Sequence, residues 1–227
     1  MRWIRDQVVE PRRPWYEAGE IERIVATKVY AFQGASAAVL NLEAFAERAC
    51  GVALDQHAVL PDRVLGVTVF GSRARPHILI NRALTEAADR RGAPLEAIGR
   101  WRATLAHEIG HVLLHRGLYL HHGDQIELFG RDEQTGTAEV QCHRSDLVAG
   151  ATHWREVQAN TAMAALLMPS DRFAAAFGRR LNIVAQRGDS AARSLIRGLA
   201  EEFMVSRQAA LIRISELGLM TSKTRLL

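Results

Sequence analysis

The run "TLAHEIGHVLLH", residues 104–115, constrains this chain more than any other stretch. On a helix turning about 100° per residue, His111 lies about 40° and Glu108 about 100° from His107, so the three side chains share one sector. Leu105, Ala106, Ile109, Val112 and Leu113 fall on the other side of the wheel and form an apolar back that can pack on a core. Such a helix needs a hydrophobic partner behind it and leaves a chemical face in front. The same spacing also occurs on helices that carry nothing more than surface histidines, so residues elsewhere must decide between the readings.

Two neutral imidazoles one turn apart supply two ligands of a zinc ion, and a zinc that activates water needs three protein ligands and an open fourth position. Glu108 would sit beside that position, where it can take a proton from water and pass it to a leaving amine, as in H-E-x-x-H metalloproteases. The third ligand sets the class. A metzincin places glycine three residues and histidine six residues after the second histidine, but Leu114 and Gly117 stand there, so that class is excluded. His115 lies in the right sector but about 12 Å along the axis from His107. That is too far to share one ion, and a surface or loop-anchoring role is expected for it.

A carboxylate from a second helix is the other source of a ligand, and "REVQANTAMAALLMP" offers one. Glu156 and Asn160 stand one turn apart with Ala159 and Met163 beside them. Glu156 would complete a His/His/Glu set, and Asn160 could hold a ligand imidazole through its second nitrogen. The small alanines would let this helix approach the first closely. Taken alone, the stretch reads equally as an ordinary helix with an exposed glutamate.

Around these two helices the chain alternates in period. "PWYEAGEIERIVATKVYAFQG" has helical spacing and stops at Gly34, and "LNLEAFAERACG" is a second short helix ending at Gly51. "VALD", "LGVTVF" and "HILIN" then read as the strands of a small sheet. Residues 86–101 are polar, a loop or a helix leading into the histidine run. From Gly117 to about His153 a long polar segment follows, which is either a functional loop or partly disordered. The helix after it stops at Pro169. Ser170 to Leu227 is helical again and closes with "LAEEFMVSRQAALIRISELGL", a helix, tight turn and helix with Ser206 as N-cap and Gly218 as the stop.

Composition narrows the function classes. At 48% hydrophobic and 24% charged, 227 residues can bury a full core. No stretch approaches the roughly 18 apolar residues of a membrane span, and "MRWIRDQVVEPRRPWYEAGE" has no apolar signal region, so a cytoplasmic protein is expected. Cys50 and Cys142 are far apart and outside any CxxC, which points to reduced thiols. The net charge of +4 is uneven: residues 179–227 carry nine basic and four acidic side chains. A basic helix-turn-helix outline raises the question of DNA, with Arg207, Gln208 and Arg213 as the candidate contacts. The apolar face of Ala210, Leu211, Ile214 and Leu217 fits packing or protein recognition instead.

With these residues in hand, the chain resembles the ImmA/IrrE family of metallopeptidases. The resemblance rests on "RWRATLAHEIGHVLLHR", on "EVQANTAMAALLMP" and on the closing helical run, in that order, and extends from about residue 17 over most of the chain. It implies one zinc per chain bound by His107, His111 and Glu156, with Glu108 as catalytic base. It also implies a gluzincin-like fold and, in many relatives, cleavage of a helix-turn-helix repressor in stress or mobile-element responses. Two departures stand out. Many members read E-x-E-A-N followed by x-F-A, whereas this chain has Gln158 and Ala162 at those places, and neither is a proposed ligand.

The expected fold is therefore α+β: a zincin-like domain over residues 1–169, with helices around a small, mostly antiparallel sheet, and a helix-turn-helix-like segment over 170–227. The expected function is zinc-dependent cleavage of a protein regulator. The alternative is a non-catalytic regulatory protein that binds DNA or a repressor and keeps a structural zinc. Three further candidates belong to the first reading. "HILIN" (His77, Ile78, Leu79, Ile80, Asn81) is either an edge strand that pairs with extended substrate or a core strand. Tyr119, His121 and His122 are candidate donors to the oxyanion of a tetrahedral intermediate. Cys142, next to His143, is a candidate thiolate cap on the zinc.

Overall fold

A computed structural model of the chain describes residues 2–4, 13–35, 39–71, 75–120, 137–143, 153–185 and 191–220. At the N-terminal end, β1 (Arg2–Ile4) and β2 (Arg13–Trp15) form an antiparallel pair. Helix α1 (Ala18–Gln33) starts at a capping box in which Glu17 and Glu20 each satisfy the other's backbone, and it ends at Gly34 in the left-handed region. Ile21 and Val25, one turn apart, are its buried positions. The second predicted helix is α2 (Leu42–Ala44), capped by Asn41 and continued as a π-helical turn over Phe45–Ala49.

The sheet is built from β3 (Ala53–Ala58), β4 (Val64–Gly71), β5 (His77–Asn81) and β6 (Thr137–His143) in the order β3-β5-β4-β6. Strands β3 and β5 are parallel, and the β5–β4 and β4–β6 pairs are antiparallel, so the mostly antiparallel sheet expected from the sequence is present. Two expectations are corrected by this order. "HILIN" is an interior strand whose backbone pairs on both sides, with Ile78 and Ile80 wholly buried, so it offers no edge to a substrate. Asn81 is structural: its Oδ1 accepts from Ala83 N at 3.0 Å to cap the next helix, and its Nδ2 donates to Val64 O at 2.9 Å. The polar segment after Gly117 also contains a strand, β6, which takes the edge position beside β4.

After α3 (Arg82–Asp89) comes α4 (Leu95–Leu120), a 26-residue helix that absorbs part of the stretch 86–101 and carries the histidine run. Its apolar back packs as the periodicity predicts: Leu105, Ala106, Ile109 and Val112 are buried. Its polar side is buried too. Helix α5 (Trp154–Leu167) and strand β4 cover the face that the wheel alone leaves open. Gly110 permits this approach, since a β-carbon there would lie 3.0 Å from Ala159 O and 3.1 Å from Ala162 Cβ.

Pro169 separates α5 from α6 (Ser170–Ala185), and α7 (Ala191–Phe203) and α8 (Arg207–Glu216) follow. Phe173, Leu195, Leu199, Phe203, Val205, Ala210 and Ile214 join the same hydrophobic cluster as the core of α1, α4 and α5. The predicted caps are in place, with Ser206 Oγ accepting from Ala209 N at 3.1 Å and Gly218 at φ 60°. Arg213 is not available as a DNA contact. It is buried, donates to Met168 O at 3.0 Å, and pairs with Glu22 and Glu216, because α8 lays this side against α1 and the end of α5. No helix among the described residues is long and apolar enough to cross a membrane.

Candidate metal centre

The site is assembled by three elements. Helix α4 presents His107, Glu108 and His111, α5 presents Glu156 and Asn160, and β4 presents Gly66 and Thr68, whose period of two puts them on one face of the sheet. His107, Glu108 and His111 are fully buried, and Glu156 keeps 15% of its side chain exposed. His107 Nε2 lies 3.0 Å from Glu156 Oε2 and 3.1 Å from His111 Nε2, while His111 Nε2 lies 3.5 Å from Glu156 Oε1. The three candidate ligand atoms all fall within 4.8 Å of one another. The exposed-glutamate reading of "REVQANTAMAALLMP" is thereby set aside.

The chemistry of this donor set fits a metal ion. Asn160 Oδ1 is 2.9 Å from His107 Nδ1, and a carbonyl oxygen accepts only, so Nδ1 of His107 carries the proton and a neutral ring turns its Nε2 lone pair inward. That lone pair then faces a carboxylate and a second imidazole at hydrogen-bond distance. Such a meeting of acceptors is stable only around a cation. Without a metal, the cation is a proton. Burial by itself would lower the pKa of His107, but hydrogen bonding to Glu156 and the nearby charges of Glu108 and Glu156 outweigh it and raise it. Glu156, despite desolvation, is held below the usual carboxylate range by its hydrogen bond with the His107 ring and by the His111 ring beside it. His111 is pushed down to about 4 by burial, against the pull of Glu156. A metal ion bound by His107, His111 and Glu156 would take the place of the shared proton.

Glu108 is held on the sheet side. Thr68 Oγ1 donates to its Oε2 at 2.5 Å, and Gly66 leaves the room its side chain occupies, since a β-carbon on Gly66 would sit 2.8 Å from Oε1. The sequence contained a signal for this pocket. A glycine inside a β-branched run, "LGVTVF", marks a strand where another group approaches closely.

Residues 94–215 match the IrrE N-terminal-like domain, a family of peptidases, and the match spans α4, α5 and the helices after them. The chain belongs to this family. No curated protein matches the sequence. Membership makes the chain a metallopeptidase, and the His107, His111 and Glu156 group is where its metal can bind.

The remaining candidates divide sharply in this IrrE-like chain. His115, expected at the surface or on a loop, is wholly buried: its Nδ1 lies 3.0 Å from His111 Nδ1 and its Nε2 lies 3.2 Å from Gln158 Oε1. The wheel placed it in the correct sector, and only the covering by α5 makes that sector interior. Gln158, one of the two departures from the family pattern, is thus one residue removed from the candidate ligand His111, and Ala162, the other, lies against Gly110. Tyr119 lies in the last turn of α4 and Cys142 and His143 in β6, with their side chains outside the described residues. His121 and His122 lie outside them altogether. The Cys50 thiol is pushed up to about 11 by burial, partly offset by Lys28 and Arg116, which leaves it unreactive at neutral pH.

A cavity of about 350 Å³ lies between α4, α5 and α8; Asn160 reaches it, but His107, Glu108, His111 and Glu156 do not line it. Ala103, Met163, Leu167, Val205 and Ile212 supply apolar wall.

Proposed function

We propose that this metallopeptidase is a zinc endopeptidase that cuts a protein regulator, with a helix-turn-helix repressor as the substrate class. The reading is carried by one observation: two imidazole lone pairs and a carboxylate converge beside a second, fully buried carboxylate, Glu108. A structural zinc has no need of that second carboxylate. The repressor as substrate rests on the family resemblance.

Zinc held by His107, His111 and Glu156 would supply a Lewis acid that polarises the scissile carbonyl and acidifies water. The protein's own groups do the rest. Glu108, its Oε2 fixed by the Thr68 hydroxyl, accepts the proton of the attacking water and returns it to the leaving amine nitrogen. Asn160 holds the His107 ring so that Nε2 and not Nδ1 faces the centre. The outer edge of β6, which replaces "HILIN" in this role, pairs with an extended substrate backbone.

The alternative of a non-catalytic DNA-binding protein draws less support. Arg213 is buried, Arg207 pairs with Glu96 at 3.1 Å, and Arg179 and Arg180 both pair with Glu202. Arg213 is therefore withdrawn from the surface, and Arg179, Arg180 and Arg207 each face a carboxylate of the protein itself.

Co-expression with a candidate repressor tests the proposal. Cleavage is expected from the native chain and should fall by about 10²–10⁴-fold with Glu108→Gln, while zinc content is retained. Cleavage by Glu108→Gln at the native rate would sink the mechanism. Full zinc content by atomic spectroscopy in Glu156→Ala would reject Glu156 as a ligand.

A further inference from the structure

We propose that His115 and Gln158 form a positioning relay that fixes which nitrogen of His111 is free to bind metal. The proposal rests on the reading of His107, His111 and Glu156 as a metal site and assigns a role to two residues outside it.

Gln158 Oε1, 3.2 Å from His115 Nε2, can only accept, so Nε2 of His115 carries hydrogen. A neutral imidazole has one N–H, and the Nδ1 of His115 is left as a lone pair. That nitrogen is 3.0 Å from His111 Nδ1, which must therefore donate. The consequence at the far end of the His111 ring is a free lone pair on Nε2, the atom aimed at His107 Nε2 and Glu156. Reversed, the chain of bonds would put a proton on His111 Nε2 and close it to a cation.

The relay is dry and held on all sides. His115 and Gln158 are buried, and the Trp154 ring packs edge-on against His115 with centroids 5.5 Å apart. Water therefore cannot readily replace the amide oxygen as acceptor. Helix α5 thus controls both ligand rings by different routes. Asn160 sets His107 directly, and Gln158 sets His111 through His115 because the His111 ring lies one helical turn farther along α4. Glu156, Gln158 and Asn160 occupy alternate positions of one short stretch, so a small shift of α5 would disturb the third ligand and both orienting groups together.

Zinc dissociation constants from competition with a chromophoric chelator test this, with no substrate needed. Gln158→Met keeps the size of the side chain and removes the acceptor, and it should weaken zinc by roughly 10–100-fold. Gln158→Glu keeps an accepting oxygen and should stay within a few-fold of the native value. His115→Phe should match Gln158→Met. A packing role alone would lower the unfolding temperature of Gln158→Met while leaving the zinc constant of the folded protein unchanged, and that result would overturn the relay. Two-bond nitrogen–proton NMR spectra of the native zinc-loaded chain read the tautomers directly, which covers the case of a variant that fails to fold. Protons on His115 Nε2 and His111 Nδ1 are expected, and a proton on His115 Nδ1 would refute the relay while leaving the metal site intact. A native chain that takes up no zinc would overturn the metal reading itself.

Discussion

Gly110→Ala places one methyl group in the seam that brings α5 against α4. The added carbon would stand 3.0 Å from Ala159 O, 3.1 Å from Ala162 Cβ and 3.2 Å from Ala159 Cα. Ordinary contacts of this kind lie nearer 3.5–4.0 Å, so α5 must retreat by a few tenths of an ångström or the helix must distort. Overpacking of this sort costs about 1–3 kcal/mol. Replacing a helical glycine by alanine returns about 1 kcal/mol of backbone preference. The net expectation is a loss of roughly 0–2 kcal/mol, seen as a fall of about 2–4 °C in unfolding temperature per kcal/mol lost.

The larger effect should be on the metal. Ala159 is one residue from Asn160 and less than a turn from Glu156, and sites of this type need ligand distances within about 0.2 Å. A tenfold weaker zinc constant would remove about 1.4 kcal/mol from the stabilisation that excess zinc confers. Thermal unfolding with and without zinc separates the two effects. Gly117→Ala is the internal control, being in the same helix with nothing within 4 Å of the new carbon, and it should stabilise the protein without altering the zinc increment. If Gly110→Ala behaved like Gly117→Ala in both respects, the α4–α5 seam would be slack and the packing argument wrong.

Other consequences are as direct. Thr68→Val removes the hydroxyl that holds Glu108 Oε2 while keeping the side chain's shape; turnover should fall with zinc affinity unchanged, and equal losses in both would show that Thr68 serves the metal ligands instead. The metal-free protein should lose stability as pH falls from about 6.5 to 4. Across that window the unfolded chain protonates His111 while the fold holds it near 4, a difference worth roughly 3 kcal/mol. The depressed Glu156 adds to the loss at the lower end, whereas the raised His107 acts oppositely, stabilising at low pH and less so as pH rises through its folded value. An unchanged urea midpoint between pH 7 and pH 4.5 would contradict this. Zinc binding near neutral pH should release a proton from the His107–Glu156 pair, visible as a buffer-dependent binding enthalpy, and affinity should rise with pH until that proton is gone.

Local chemistry made much of this protein legible before its fold was known. The i, i+4 spacing of His107 and His111 and the apolar phase of Leu105, Ile109 and Val112 are properties of a single helix, and so is the pairing of Glu156 with Asn160. Each survived intact because helical periodicity carries it. The short β-branched runs became strands, and Ser206 and Gly218 capped the last helix, since turns and caps depend on a few neighbouring residues.

What failed depended on partners distant in sequence. Strand order is not written in any one strand, so "HILIN" was as compatible with an edge as with the interior position it takes between β3 and β4. Arg213 reads as an exposed cation until α1 supplies Glu22, which lies 191 residues away in the chain. The candidate ligand types, their spacing and the apolar backing are local properties, because each is carried within a single helix, α4 or α5. That Thr68 holds Glu108, and that His115 lies buried between His111 and Gln158, depends on elements distant in the chain. A helical wheel ranks directions, whereas burial and hydrogen-bond partnership depend on which other element fills each direction, here α5 and β4.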